Sequence, residues 1–404
     1  MDNLTNEFLS LKRKLMEKYF EKMNDMQKKA IFSTNGPVLI LAGAGSGKTT
    51  VLINRITNLI KYGCAYEDVN VPGFVDQKYI DEMKNCLDSN NNDKIEYILK
   101  DLSVCPAKPW QILAITFTNK AANELKDRLE IALGTETGRD VFASTFHSTC
   151  SIILRKYADK LGYSQHFTIY DTDSYRLIKE CQNDLNIDDK VLSYRSILSE
   201  ISRAKDQMIS PDDFQKNSGT DFRLSNISKV YSMYQRRLTQ ADAMDFGDLL
   251  YNVVLLFKKL PDVLEYYQNR FHYIMVDEYQ DTNFVQYEFI RLLSQKHKNL
   301  CVVGDDDQSI YKFRGATIEN ILNFEKTFKN STVIRLEQNY RSTQNILNAA
   351  NAVIKNNNSR KPKTLWTENK CGNKINVYTA LNETDEADFI TTTITDQVAN
   401  GKKY

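Results

Sequence analysis

Residues 37–50 constrain this chain most. They read Pro-Val-Leu-Ile-Leu-Ala-Gly-Ala-Gly-Ser-Gly-Lys-Thr-Thr. The apolar run from Val38 to Leu41 predicts a short buried strand. A glycine-rich loop follows. Val51, Leu52, Ile53, Ile56, Leu59 and Ile60 then recur at helical spacing, so a helix starts at about Gly47 and ends near Gly63. Strand, glycine loop and helix in that order are the setting of a phosphate-binding loop. Gly43, Gly45 and Gly47 let backbone N–H groups turn inward and approach an anion, with Ala44 and Ser46 between them. The helix N-terminus adds N–H donors and a partial positive charge. Lys48 is placed to reach phosphate, and the hydroxyl of Thr49 suits Mg2+. Ala42 stands where the strict pattern has its first glycine, which an ordinary β backbone tolerates. Thr50 closes the stretch.

The rest of the chain supplies more strands. Residues 112–117, 141–146, 273–276, 300–303 and 332–336 are apolar runs, and helical patterns separate them. Alternation of this kind predicts an α/β fold with a parallel, doubly wound sheet, whose ligands sit at the C-terminal strand ends. Residues 8–30 predict one or two lead-in helices, with Asn24 capping the short helix that carries Gln27. Residues 65–108, with Val71-Pro72-Gly73, the polar run Ser89-Asn90-Asn91-Asn92-Asp93 and Pro106, read as a surface insertion with helices at about 77–88 and 93–101. From 148 to about 257 the pattern is almost wholly helical. A strand at 375–378 and a helix at 383–400 close the chain.

Polar residues follow each strand. Asp277 and Glu278 come after 273–276, where one acid suits a metal and its neighbour a general base. Asp305, Asp306, Asp307 and Gln308 follow 300–303. Gln308 is a candidate contact to a terminal phosphate, and the three acids are expected mostly to face solvent or cap the next turn rather than hold a metal. Tyr311, Phe313 and Arg314 offer flat groups on which bases could stack, although Tyr311 and Phe313 fit core packing as well. Tyr340 and Arg341 precede a capped helix; Arg341 suits either transition-state charge or a surface salt bridge. Phe117, Thr118, Asn119 and His147 lie at two further strand ends and suit nucleic acid, His147 also serving as a structural residue.

Composition sets few limits. The 404 residues suggest two or three domains. Lys plus Arg number 53 against 52 Asp plus Glu, so any basic surface is local. Seven widely spaced cysteines without a C-x-x-C pair read as reduced thiols, which suggests a cytoplasmic protein. The start is polar rather than a signal peptide, and no apolar run approaches membrane-spanning length.

Taken as an ordered set, 42–49, 116–122, 145–147, 276–283, 303–311 and 338–342 resemble the motifs of superfamily 1 DNA helicases of the UvrD/Rep/PcrA group. The resemblance covers nearly the whole chain. It implies a RecA-like P-loop motor domain from 1–150 and 241–336, a helical subdomain at 151–240, and the start of a second RecA-like domain at 337–404. It also implies ATP and Mg2+, with 3′–5′ movement on single-stranded DNA and unwinding of junctions in repair or replication, alongside proteins of those pathways. Gln27 would hydrogen-bond the adenine and Tyr340 stack on it. Lys48 and Thr49 would bind phosphate and Mg2+, Asp277 the metal, and Glu278 would be the base. Gln308 and Arg341 would sense the γ-phosphate, while Phe117, His147, Tyr311 and Phe313 would line the single-strand path. The family usually has Trp at Phe313 and often Arg at Thr50, so weaker base stacking and altered nucleotide affinity are expected. The insertion is unusual for the family. The chain is expected to stop inside the second motor domain and, as a fragment, to bind nucleotide weakly and not to unwind. A non-motor ATP-dependent regulator and an RNA motor fit the same residues.

Overall fold

A computed structural model describes residues 3–89, 91–357 and 360–403, with the side chains of Asn3 and Arg314 outside the description. Eight strands are present among the described residues: β1 (Val38–Ala42), β2 (Ile112–Thr116), β3 (Phe142–Thr145), β4 (Thr168–Tyr170), β5 (Ala243–Asp245), β6 (Tyr273–Val276), β7 (Leu300–Gly304) and β8 (Thr332–Leu336). Six of them form one sheet in the order β3-β2-β6-β7-β1-β8, and every pairing is parallel. The α/β expectation therefore holds. β4 and β5 pair separately, a small sheet inside the stretch read as helical.

The strands are apolar throughout because both sheet faces are covered. Side chains alternate strictly between two cores. Val38, Ile40, Ile112, Ala114, Met275 and Cys301 join one. Leu39, Leu41, Leu113, Ile115, Ile274 and Val302 join the other. The first core also takes in the helices Asn3–Tyr19, Gln77–Asp88 and Asn92–Asp101 through Phe8, Leu15, Ile80, Met83 and Ile95. The 65–108 insertion is thus packed onto the sheet's own core, with the first helix as its partner. A third core joins Ile178, Ile197, Ile201, Val230 and Tyr234 within the helical block.

Residues 375–378, expected as a strand, are not in strand conformation. Among the described residues nothing pairs with their edge, and a lone strand leaves its backbone groups and apolar side chains in water. Ile375, Val377 and Leu381 are exposed, and the following helix Glu383–Ala399 buries no residue. No helix among the described residues is long and apolar enough to cross a membrane.

Candidate active site

All six strands of the large sheet point the same way, so their C-terminal ends form one rim. The β1 loop runs along it. Gly45 (φ 69°) and Gly47 (φ 84°) take left-handed backbone that side chains resist, and this turns the chain into the helix Lys48–Lys61. Gly43 is instead closely approached by a side chain. A Cβ there would lie 2.2 Å from Leu365 Cδ2. The loop is fastened from both sides. Gln27 Nε2 donates to Ser46 O at 3.0 Å, and Ser46 Oγ donates to Gly43 O at 2.7 Å. Asn339 Nδ2 donates to Ala44 O at 2.6 Å and Tyr340 N–H to Gly45 O at 2.9 Å. Asn24 caps the Gln27 helix as expected, forming a reciprocal pair with it, and its Nδ2 reaches Tyr340 Oη at 2.9 Å. Gln27 and Tyr340 therefore meet the loop at one end, with Gln27 buried and already bonded to Ser46. Arg341 also borders it: a Cβ on Gly45 would come 2.9 Å from Arg341 Cβ.

Lys48 Nζ lies 2.8 Å from Glu278 Oε2. Gln280 Nε2 donates to the same oxygen at 3.0 Å. Glu278 has a left-handed backbone (φ 50°), a conformation that is strained for a residue with a side chain. Beside it, the Asp277 carboxylate accepts the Glu278 N–H at 2.9 Å. Burial pushes the Asp277 pKa up to about 6, and repulsion from Glu278 adds to this. A divalent cation would relieve both effects. Thr49 and Asp277 supply the hard oxygen donors that fit Mg2+.

Gln308 follows β7 on a short turn capped by Asp305, and its Nε2 lies 2.5 Å from Asp305 Oδ2. The expectation that the three acids face solvent is corrected here: Asp305 and Asp306 are buried. Lys363, 57 residues beyond Asp306, makes that possible by pairing with the group. Asp305 does cap the turn, as the alternative expectation had it.

A cavity of about 740 Å3 opens beside these groups, lined by Glu278, Gln308, Phe117, Thr118, His147 and Tyr311 among others. Thr118 caps the helix Asn119–Leu133, which Asn119 begins. Burial lowers the His147 pKa and so favours the neutral ring, which meets Phe246 edge-on at 5.7 Å. Core packing is not the fate of Phe313, which is 77% exposed and touches Tyr311 at 5.9 Å between ring centres. The Arg314 side chain, also expected to contact nucleic acid, lies outside the described residues. Thr50, Phe313 and Arg341 are not among the residues lining the large cavity.

A family model described as "UvrD/REP helicase N-terminal domain" matches residues 23–95 and 92–329. The chain belongs to the UvrD/REP helicase family. A second model, "UvrD-like helicase C-terminal domain", matches 334–404. A Staphylococcus aureus (strain Mu50 / ATCC 700699) protein named "ATP-dependent DNA helicase PcrA" is 47% identical over 383 residues, 95% of this chain and 46% of the relative. A Staphylococcus epidermidis (strain ATCC 12228 / FDA PCI 1200) protein of the same name is 46% identical over 390 residues, 96% of this chain and 48% of the relative. The chain spans about half the length of these curated relatives.

For this UvrD/REP family chain, several site residues escaped the sequence reading. Phe246 is 46% exposed in the cavity wall, directly after β5. A phenylalanine at a strand end is the same signal as Phe117 gives, but β5 is too short to stand out in a helical stretch. Gln280 links Glu278 to the Asp305 N–H through its two amide atoms. Asp206 enters the cavity from the helix Tyr194–Asp206, where Asn283 Nδ2 donates to it at 2.8 Å. Nothing local to Gln280 or Asp206 marks these roles.

Proposed function

We propose that this chain binds ATP with Mg2+ against the phosphate loop and couples hydrolysis to 3′–5′ movement along single-stranded DNA and to unwinding at single/double-strand junctions, in repair or replication. The observation that best supports the reading is the single cavity joining Glu278 and Gln308 to Phe117, His147, Phe246 and Tyr311. Hydrolytic groups and base-stacking groups share one wall system, so a shift at one end moves the other. The printed name of the relatives, ATP-dependent DNA helicase PcrA, supports DNA over RNA.

In this reading, Thr49 and Asp277 would hold Mg2+, which supplies charge neutralisation at the phosphate oxygens. Lys48 exchanges its pairing with Glu278 for phosphate. The freed Glu278 carboxylate, still held by Gln280, accepts the proton of the attacking water. Gln308 and Arg341 meet the terminal phosphate, and Tyr340 stacks on adenine beside Gln27. Phe117, Thr118, Asn119, His147, Tyr311, Phe313 and Arg314 carry the strand.

Residues 337–404 contain no sheet among the described residues beyond an isolated bridge, Gln338 to Trp366. We therefore expect the 404-residue chain alone to bind nucleotide weakly and turn it over slowly, without unwinding. The test is ATP hydrolysis with and without single-stranded DNA. Stimulation by DNA supports the motor reading, and its absence overturns it. Robust unwinding by the chain would overturn the expectation of weak activity.

A further inference from the structure

The segment 360–363 reads Arg-Lys-Pro-Lys, and each of its three basic residues meets the acidic turn after β7 or its surroundings. Lys363 Nζ lies 2.8 Å from Asp305 Oδ1, 2.6 Å from Asp306 Oδ1 and 2.7 Å from Asp307 Oδ2. Its side chain is 1% exposed and that of Asp306 is 0% exposed. Arg360 pairs with both oxygens of Asp307 at 2.7 Å. The Lys361 N–H donates to Asp306 Oδ2 at 2.6 Å, and its ammonium pairs with Glu325. Carboxylate oxygens of the three acids lie within 4.8 Å of one another, a grouping that could hold a metal ion. In this chain the Lys363 ammonium stands at their centre. Burial alone would lower the Lys363 pKa, and the carboxylates outweigh that and raise it.

Asp305 is the shared member. Its Oδ1 faces Lys363, and its Oδ2 accepts from Gln308 Nε2. Its own N–H donates to Gln280, which holds Glu278. The same C-terminal segment also touches the phosphate loop, because Leu365 packs on Gly43. Without the ammonium, three carboxylates would be crowded together in a buried site. They would repel, and Asp305 would leave the position from which it orients Gln308.

We propose that Lys363 is a positioning residue for γ-phosphate recognition: through Asp305 it fixes the Gln308 amide, and so it sets how strongly the site favours a nucleoside triphosphate over a diphosphate. This rests on the nucleotide-site reading above. Lys363 touches no substrate itself. It fixes the protein side of a contact that only a third phosphate can use.

The test is titration of the full chain with fluorescent ADP and fluorescent ATPγS, both with Mg2+. Wild type should favour the triphosphate. Lys363→Met should lose about tenfold of that preference while ADP affinity stays within about twofold. Gln308→Ala should lose a similar amount, and the double variant little more, because both act through one contact. A merely structural lysine would weaken both nucleotides alike, or add independently to Gln308→Ala, and either result overturns the proposal. If Lys363→Met does not fold by circular dichroism, the same cycle is run on Lys363→Met/Asp306→Asn. That pair removes one buried charge with the cation and keeps the acceptor for the Lys361 N–H. Failure of wild type to bind either nucleotide overturns the nucleotide-site reading itself and the proposal with it.

Discussion

At the scale of single residues, Lys48 and Glu278 form one ion pair, and the proposed function gives them separable roles. Lys48→Ala should lower nucleotide affinity about tenfold or more, because a charge-assisted phosphate contact is lost. Glu278→Gln should keep most of that affinity and lose about a hundredfold or more in turnover, the usual range for a missing general base. Titration beside single-turnover hydrolysis separates the two, and a fully active Glu278→Gln would remove Glu278 as the base. Asp206 makes a prediction about pH. Burial, with Asp245 adding, pushes its pKa up to about 7, above the unfolded value. The folded state therefore binds the extra proton, and stability falls as pH rises from about 4 through 7. Asp206→Asn should stabilise the chain by about 1–2 kcal/mol at pH 8, after allowing for partial solvent screening. It should give almost nothing at pH 4. Denaturant melts at the two pH values check this, and equal gains at both would show that the carboxylate is not the cause.

At the scale of elements, a buried cation adds to the β4–β5 pairing and the Asp206–Asn283 bond in joining the helical block to the sheet domain. Lys205, on the helix Tyr194–Asp206, pairs with Asp245 at 2.7 Å and Asp248 at 2.8 Å, where β5 enters the helix Phe246–Lys259. Tyr234 adds a bond to Asp245 at 2.9 Å. Lys205→Met should destabilise by about 3–5 kcal/mol, since two buried carboxylates lose their counter-charge. The loss should shrink at pH 5, because burial and Asp245 push the Asp248 pKa up to about 6 and that group can then take a proton. Thermal melts at pH 5 and pH 8 measure both effects. The helices themselves were largely legible. Residues 77–88 and 93–101 were expected as helices and are found as Gln77–Asp88 and Asn92–Asp101. Their apolar positions recur with helical period, which is a local property. β4 and β5 were missed because three-residue strands carry too short an alternation to read.

At the scale of the whole molecule, burial falls off beyond β8. Asn339 and Tyr340 bond to the phosphate loop and Trp366 bridges to Gln338, whereas Val377 is 88% and Leu381 92% exposed. An apolar stretch so exposed gains little from folding locally. Timed proteolysis should therefore cut first within 372–382, leaving a core that keeps the sheet. Mass spectrometry of the early products decides this, and a first cut inside the 65–108 insertion would contradict the finding that its helices share the sheet's core.

The sequence by itself determined the sheet, the phosphate loop and the polar groups at each strand end. Short continuous apolar runs and a glycine loop between strand and helix are written within a dozen residues, so no knowledge of the chain path is needed to see them. Only the tertiary structure decided what those groups face. The pairing of Lys363 with Asp305, Asp306 and Asp307 spans more than fifty residues. His147 meets Phe246 across a block of about a hundred. A basic run and an acidic run each look like solvated surface when read alone, and burial becomes tolerable only when folding brings the two charges together. The same reasoning explains 375–378, where the alternation is present but no neighbouring strand among the described residues supplies the hydrogen bonds a sheet requires. The loop at 42–49 is in this sense half a site: its backbone was legible in sequence, and its attachment to Gln27, Asn339 and Leu365 was not.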